Sequence, residues 1–132
     1  MVFIDIILTT SGETPIYQQI VDQIKAAILR GDLEAEELLP SIRVLAKELK
    51  ISVITTKRAY EELEKEGLIY TMRGKGSFVA DQGEHLLEES KERLVEEKLL
   101  EAMEVAKLTG LTKSEFGKIF KRLMEGKEWN RF

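Results

Sequence analysis

Apolar positions along the chain change period several times, and each change marks an element. Residues Phe3–Leu8, FIDIIL, are β-branched and apolar and run into Thr9-Thr10-Ser11-Gly12, which predicts a short strand closed by a turn. From Ile16 the period becomes helical: Ile16, Ile20, Ile24, Ala27 and Ile28 share one face. Thr14 is placed to cap this first helix, Pro15 to occupy its first helical position, and Gly31 to take a left-handed stop.

A second, shorter helix starts after Pro40 with Ser41 as N-cap, and its buried stripe is Ile42, Leu45, Ala46 and Leu49. Lys50-Ile51-Ser52 turns the chain, Ser52 caps again, and a third helix runs to about Glu66, where Gly67 ends it. At 100° per residue, Thr56, Ala59, Tyr60 and Leu63 fall on the core side of this helix. Val53, Ile54, Lys57, Arg58 and Glu61 fall outward, with Thr55 on the border. Two helices joined by a tight turn, the second showing Lys and Arg near its start, match a helix-turn-helix that inserts its second helix into the major groove of DNA. LIYTMRGKGSFVA then reads as two strands around Gly74-Lys75-Gly76, a hairpin wing with Arg73 and Lys75 at its tip.

Beyond Gly83 the pattern is helical but diffuse. Leu86, Leu87, Leu94, Val95, Leu99, Leu100, Met103 and Ala106 spread around much of one helix, which must be covered from more than one side. A second copy of the chain is the simplest cover. Gly110 breaks the helix, Thr112 with Glu115 forms a capping box, and Phe116, Ile119, Phe120, Leu123 and Met124 make a stripe. Two antiparallel helices are expected, pairing with the same two of a partner through Leu94, Leu99, Leu100, Met103, Phe116, Ile119, Phe120 and Leu123. The expected fold is mainly α with a small β wing: a winged helix-turn-helix over residues 1–80 and a two-helix dimerisation tail over 81–132, meeting near Ala80–Glu84.

Composition narrows the chemistry. The 132 residues are 43% hydrophobic and 33% charged, with formal charge -4, which suits one globular domain with an appendage. The charge is unevenly placed. Residues 1–40 carry 2 basic and 7 acidic side chains, residues 41–80 carry 8 and 5, and residues 81–132 carry 10 and 12. Residues 41–80, which hold the second and third helices and the hairpin, are therefore the basic third of an acidic chain, as a polyanion partner requires. With no cysteine and one histidine, His85, outside any ligand spacing, neither metal nor cofactor is expected. RGKGS lacks the upstream glycine of a phosphate loop, and no nucleophile and base can be paired, so no catalytic residue and no enzyme are expected. No apolar run approaches the roughly 20 residues of a membrane span, so a cytoplasmic protein without a membrane partner is expected.

Lys57 and Arg58 alone would read as solvated helix charges, and the hairpin as an ordinary turn. Within a capped helix-turn-helix they gain a role: Arg58 can fork onto a guanine edge or a phosphate, and Lys57 suits a phosphate. The Thr55 hydroxyl and the first amides of the helix suit a phosphate oxygen, and Ile54 a thymine methyl.

LPSIRVLAKELKISVITTKRAYEELEKEGLIYTMRGKGSFVA, residues Leu39–Ala80, resembles the winged helix-turn-helix of GntR-type bacterial and archaeal transcription regulators. PIYQQIVDQIKAAILRGDL, Pro15–Leu33, resembles that family's first helix. The Arg58-Ala59-Tyr60 run and the small tail are most similar to the YtrA-like branch. The resemblance implies a homodimeric DNA-binding regulator, commonly a repressor and often of transporter operons, that reads a palindromic double-stranded operator. By motif it assigns DNA contacts to Ser41 and Arg43, to Ser52, Thr55, Lys57 and Arg58, and to Arg73, Gly74, Lys75 and Gly76. Three positions depart from the pattern: Val53 where many members have arginine and the branch often has proline, Lys50 at the usual turn glycine, and Glu36 at a frequent loop glycine. A left-handed lysine costs roughly 1–2 kcal/mol. A winged helix serving protein or RNA contacts is the alternative, and a small-molecule effector is left open.

Overall fold

The structure, a computed structural model, describes residues 5–131, apart from the side chain of Glu84. Of the expected strand, Phe3 and Ile4 lie outside the described residues, and residues 5–8 form no strand. They run extended beside α1 (Ile16–Arg30), and side chains take the place of a neighbouring strand. Gln23 accepts the Ile7 N–H at 2.9 Å and donates to the Ile7 carbonyl at 2.7 Å. Gln19 does the same for Thr9, at 2.9 and 2.8 Å. The match is geometric: four helical residues rise about 6 Å, and two extended residues span about 6.6 Å. The apolar pattern marks an extended backbone, but two glutamines satisfy it. The same segment buries Ile6 and leaves Ile7 75% exposed.

The start of α1 sits one residue later than expected. Pro15 is the N-cap, no side chain caps the helix, and the Thr14 carbonyl accepts from Gln19 at 2.9 Å. Its C-terminus is as expected, with Gly31 left-handed and bonded back to the Ala27 and Ile28 carbonyls.

The second and third helices are α2 (Ile42–Leu49) and α3 (Val53–Lys65). Their apolar faces meet α1 in a core where Ile20, Ile24, Leu45, Thr56 and Leu63 are all less than 2% exposed. Burial of each large aliphatic chain contributes roughly 1.5–3 kcal/mol. The buried Thr56 hydroxyl is satisfied by the Ser52 carbonyl at 3.1 Å. Strands β1 (Ile69–Met72) and β2 (Gly76–Val79) pair antiparallel, Ile69 opposite Val79 and Met72 opposite Gly76. The loop before α2 adds a third edge to this wing. Leu38 bridges Phe78, with Glu36 N–H on the Val79 carbonyl and Leu39 N–H on the Ser77 carbonyl, both at 2.8 Å. The chain is thus a winged helix-turn-helix, mainly α with a small β wing.

A further helix, α4 (Glu84–Leu108), begins against this core, where Leu87 packs, and runs on through the junction of two compact units at Glu89 and Ser90. The composition changes earlier, at Ala80–Glu84. In the second unit Gly110 ends the long helix and α5 (Lys113–Glu125) opens with the expected capping box, Glu115 N–H on Thr112 Oγ1 at 3.1 Å and Thr112 N–H on Glu115 Oε1 at 2.9 Å. Within the single chain α4 and α5 pack on each other only slightly. A face-to-face pair would bury a stripe on each helix, yet α5 buries nothing and Ala106 is the buried hydrophobic residue of α4. No helix among the described residues is long and apolar enough to cross a membrane.

Candidate nucleic-acid interface

Two helix starts carry serine caps of the same chemistry. Ser41 Oγ accepts the Val44 N–H at 3.1 Å, and Ser52 Oγ accepts the Thr55 N–H at 3.1 Å. Each cap satisfies one of the first four helical amides, and those left over give the helix end its partial positive charge. Ser52 also donates to Thr55 Oγ1 at 2.8 Å. That leaves the half-buried Thr55 hydroxyl its own proton to donate outward. The turn between the helices is closed by Lys50 in left-handed geometry, φ 57° and ψ 45°, as its place at a glycine position implied.

A buried hydrogen bond fixes the body of α3 to the start of α2. Tyr60 Oη donates to the Pro40 carbonyl at 2.6 Å, from the core side of α3 to the residue before the Ser41 cap. Burial, and secondarily the Glu48 charge, push this phenol far above its ordinary pKa, so it stays a donor. α3 cannot swing without breaking a bond in the core.

On the outer side of α3, Ile54 is 81% exposed, and Lys57 and Arg58 are exposed beside it. Lys57 lies 3.9 Å from Glu61, a solvated i,i+4 pair of small energetic weight. Arg58 is not free in the same way. Its guanidinium carbon sits 3.8 Å from the centroid of the Tyr17 ring on α1. Arg43 is exposed on the first turn of α2.

The wing brings the remaining cations. Its turn is closed by Lys75 N–H on the Met72 carbonyl at 2.9 Å, with Arg73, Gly74 and Lys75 exposed at the tip. Gly74 has φ 79° and Gly76 φ 115°, and a Cβ on Gly76 would stand 3.0 Å from Leu38 Cδ1. Both glycines are therefore required by backbone geometry, the second also by close approach. Among the described residues neither Arg73, Lys75 nor Arg43 is in an ion pair.

Below the tip the hairpin is braced. Tyr70 and Phe78 stack at 5.5 Å, Thr71 and Ser77 hydroxyls meet at 3.0 Å, and Thr71 N–H reaches Glu64 of α3 at 3.1 Å. Tyr70 Oη donates to the Glu36 carboxylate, a bond that raises the phenol pKa. Glu36 itself has φ 70°, so its backbone keeps the left-handed form that a glycine would adopt freely, and its side chain is used as a brace.

Every expected DNA-contact residue thus lies in the first unit, on α2, α3, their serine caps or the wing. Sequence reasoning missed the supports: Tyr17 beneath Arg58, Tyr60 on Pro40, and Glu36 on Tyr70. Only Glu36 carried a local signal, its place at a glycine position. Among the described residues no group of His, Cys, Asp or Glu is gathered as a metal site. His85 is exposed and 3.0 Å from Glu89.

The sequence profile of the bacterial regulatory proteins of the gntR family matches residues 16–79. The uncharacterized HTH-type transcriptional regulator YhcF of Bacillus subtilis is 38% identical over 112 residues, spanning 85% of this chain and 92% of that protein. The HTH-type transcriptional repressor YtrA of the same organism is 39% identical over 88 residues, 67% of this chain and 68% of YtrA. Among solved structures, a GntR family transcriptional regulator from Listeria monocytogenes superposes with a TM-score of 0.71 at 31% identity, covering 83% of this chain and 96% of that one.

Proposed function

The chain belongs to the gntR family of helix-turn-helix transcription regulators, and from that membership we propose that it is a repressor acting as a homodimer on a palindromic operator. It is a DNA-binding regulator that works by holding a duplex rather than by turnover. Residues 1–80 serve as the DNA-binding part and residues 81–132 as the dimerisation part. A cytoplasmic location follows from that role.

In this reading α3 enters the major groove. The starts of α2 and α3 present Ser41, Ser52 and Thr55 with their free amides to phosphates on either side. Arg43 and Lys57 add charge to the same strands. Arg58 forks onto a guanine edge or a phosphate, Ile54 meets a thymine methyl, and the wing lays Arg73, Gly74, Lys75 and Gly76 along the neighbouring backbone. Val53 supplies no hydrogen bond, so base reading rests on Ile54 and Arg58. The observation that carries the proposal is the buried Tyr60–Pro40 bond, which ties the body of α3 to the capped start of α2 beside the exposed cations of α3.

Dimerisation is drawn from the tail. Leu99, Leu100, Met103, Phe120 and Leu123 are each 38–52% exposed. Leu94, Phe116 and Ile119 are half-buried beside them. A second copy would cover these faces and supply the packing that the single chain lacks.

The test is fluorescence anisotropy on a duplex enriched by the protein from a random library. Lys57→Ala with Arg58→Ala should abolish specific binding while the protein sediments as before. Unchanged affinity, or stronger competition by single-stranded nucleic acid than by duplex, would overturn the assignment.

A further inference from the structure

The contact between Arg58 and Tyr17 joins two elements with different tasks. Arg58 stands on the outer face of α3, while Tyr17 is in the first turn of α1, outside the helix-turn-helix. Tyr17 is half-buried and packed against the core, so its ring is a fixed platform. The guanidinium lies 3.8 Å over the centroid of that ring. An arginine whose guanidinium carbon stands this close over a ring is held against the ring's face by the cation–π attraction. The Arg58 side chain remains exposed, so N–H donors are left for another partner.

We propose that Tyr17 is a positioning residue for DNA binding, holding Arg58 in the orientation in which it meets the duplex. The inference rests on the regulator reading above. Free arginine side chains lose rotamer freedom when they bind; a ring that restrains the side chain beforehand removes part of that loss from the binding step. The task needs an aromatic face and no hydroxyl. It also needs arginine in particular, because a lysine ammonium has no plane to stack. The device links α1, which makes no expected base contact, to the affinity of α3.

The experiment uses the full-length protein and a duplex enriched by wild type from a random library. Tyr17→Leu should weaken binding roughly 2- to 5-fold, the range an exposed cation–π contact supports. Tyr17→Phe should bind as wild type. In an Arg58→Ala background, Tyr17→Leu should have no further effect. Arg58→Lys should lose most of what Arg58→Ala loses.

In the free protein the Arg58 Nε–H resonance should carry a ring-current shift that persists in Tyr17→Phe and vanishes in Tyr17→Leu. This NMR readout does not depend on DNA, and wild type with Tyr17→Phe suffices for it should the leucine variant fold poorly. Equal losses in Tyr17→Phe and Tyr17→Leu would overturn the proposal by showing that the hydroxyl acts. So would a loss that persists without Arg58, affinity unchanged in Tyr17→Leu, or a missing shift in wild type. Failure of wild type to enrich any duplex would instead defeat the regulator reading itself.

Discussion

The two units of the chain use apolar residues at similar helical spacing for opposite ends. In the first, the stripes of α1, α2 and α3 close on one another, and Ile20, Ile24 and Leu63 reach 0% exposure. In the second, the stripe of α5 and the more scattered apolar residues of α4 stay largely uncovered within the chain: Leu100 is 52% exposed and Phe120 45%. Periodicity says that a face will be covered; it does not say by what. The winged helix is complete in one chain; the tail leaves its apolar residues open, as the proposed second copy requires.

That contrast is most strongly tested by deleting the same atoms in both units. Leu63→Ala should destabilise the winged helix by about 2–5 kcal/mol in denaturant unfolding. Leu100→Ala, measured at a dilution where the protein is monomeric, should cost less than about 0.5 kcal/mol. Similar losses at the two positions would erase the distinction.

Next in size is association. Phe120→Glu with Leu123→Glu should weaken self-association by about 2 kcal/mol or more, read by sedimentation, while the melting of the diluted winged helix stays as in wild type. A tail that still dimerises after both changes would place the interface elsewhere.

Smaller effects sharpen the comparison through the caps. Ser52→Ala should cost about 1 kcal/mol of global stability, because α3 is built into a core. Thr112→Ala should only fray α5, seen as faster amide exchange confined to residues 113–116. Glu115 adds a pH dependence of known sign. Its bonds with Thr112, the backbone N–H first, hold the carboxyl below the usual range. Its contribution is complete above the unfolded pKa and is lost as pH falls through the lowered folded value, so α5 helicity should decline below roughly pH 4.

The smallest change has the opposite direction. Lys50→Gly relieves a left-handed cost of roughly 1–2 kcal/mol against roughly 0.5–1 kcal/mol of added backbone entropy. Stability should rise by about 0.5–1 kcal/mol in thermal unfolding.

Local rules made most of the first unit legible. The α3 faces, both serine caps, the left-handed Lys50 and the hairpin turn around Gly74 depend on neighbours within a few residues, and sequence carries those. Three features depended on distant partners and were not readable. The extended residues 5–9 needed Gln19 and Gln23 to act as a strand edge. The Tyr17 platform needed α1 to cross α3 at one particular turn. The tail needed a choice between packing within the chain and packing with a copy, and helical period is the same in both. The Gly31 stop is local and readable, whereas Thr14 is not the cap: the helix begins at Ile16, so the N-cap position falls to Pro15, which has no side-chain acceptor.

Hydroxyl-radical footprinting of the protein on its enriched duplex bears most directly on the central claim, that two copies present two α3 helices to one DNA. The account predicts two protected patches on one face, their centres about 34 Å apart or a multiple of that, with both lost together in the Phe120→Glu, Leu123→Glu protein at limiting concentration. A single patch, or two that persist when the tail interface is broken, would contradict it.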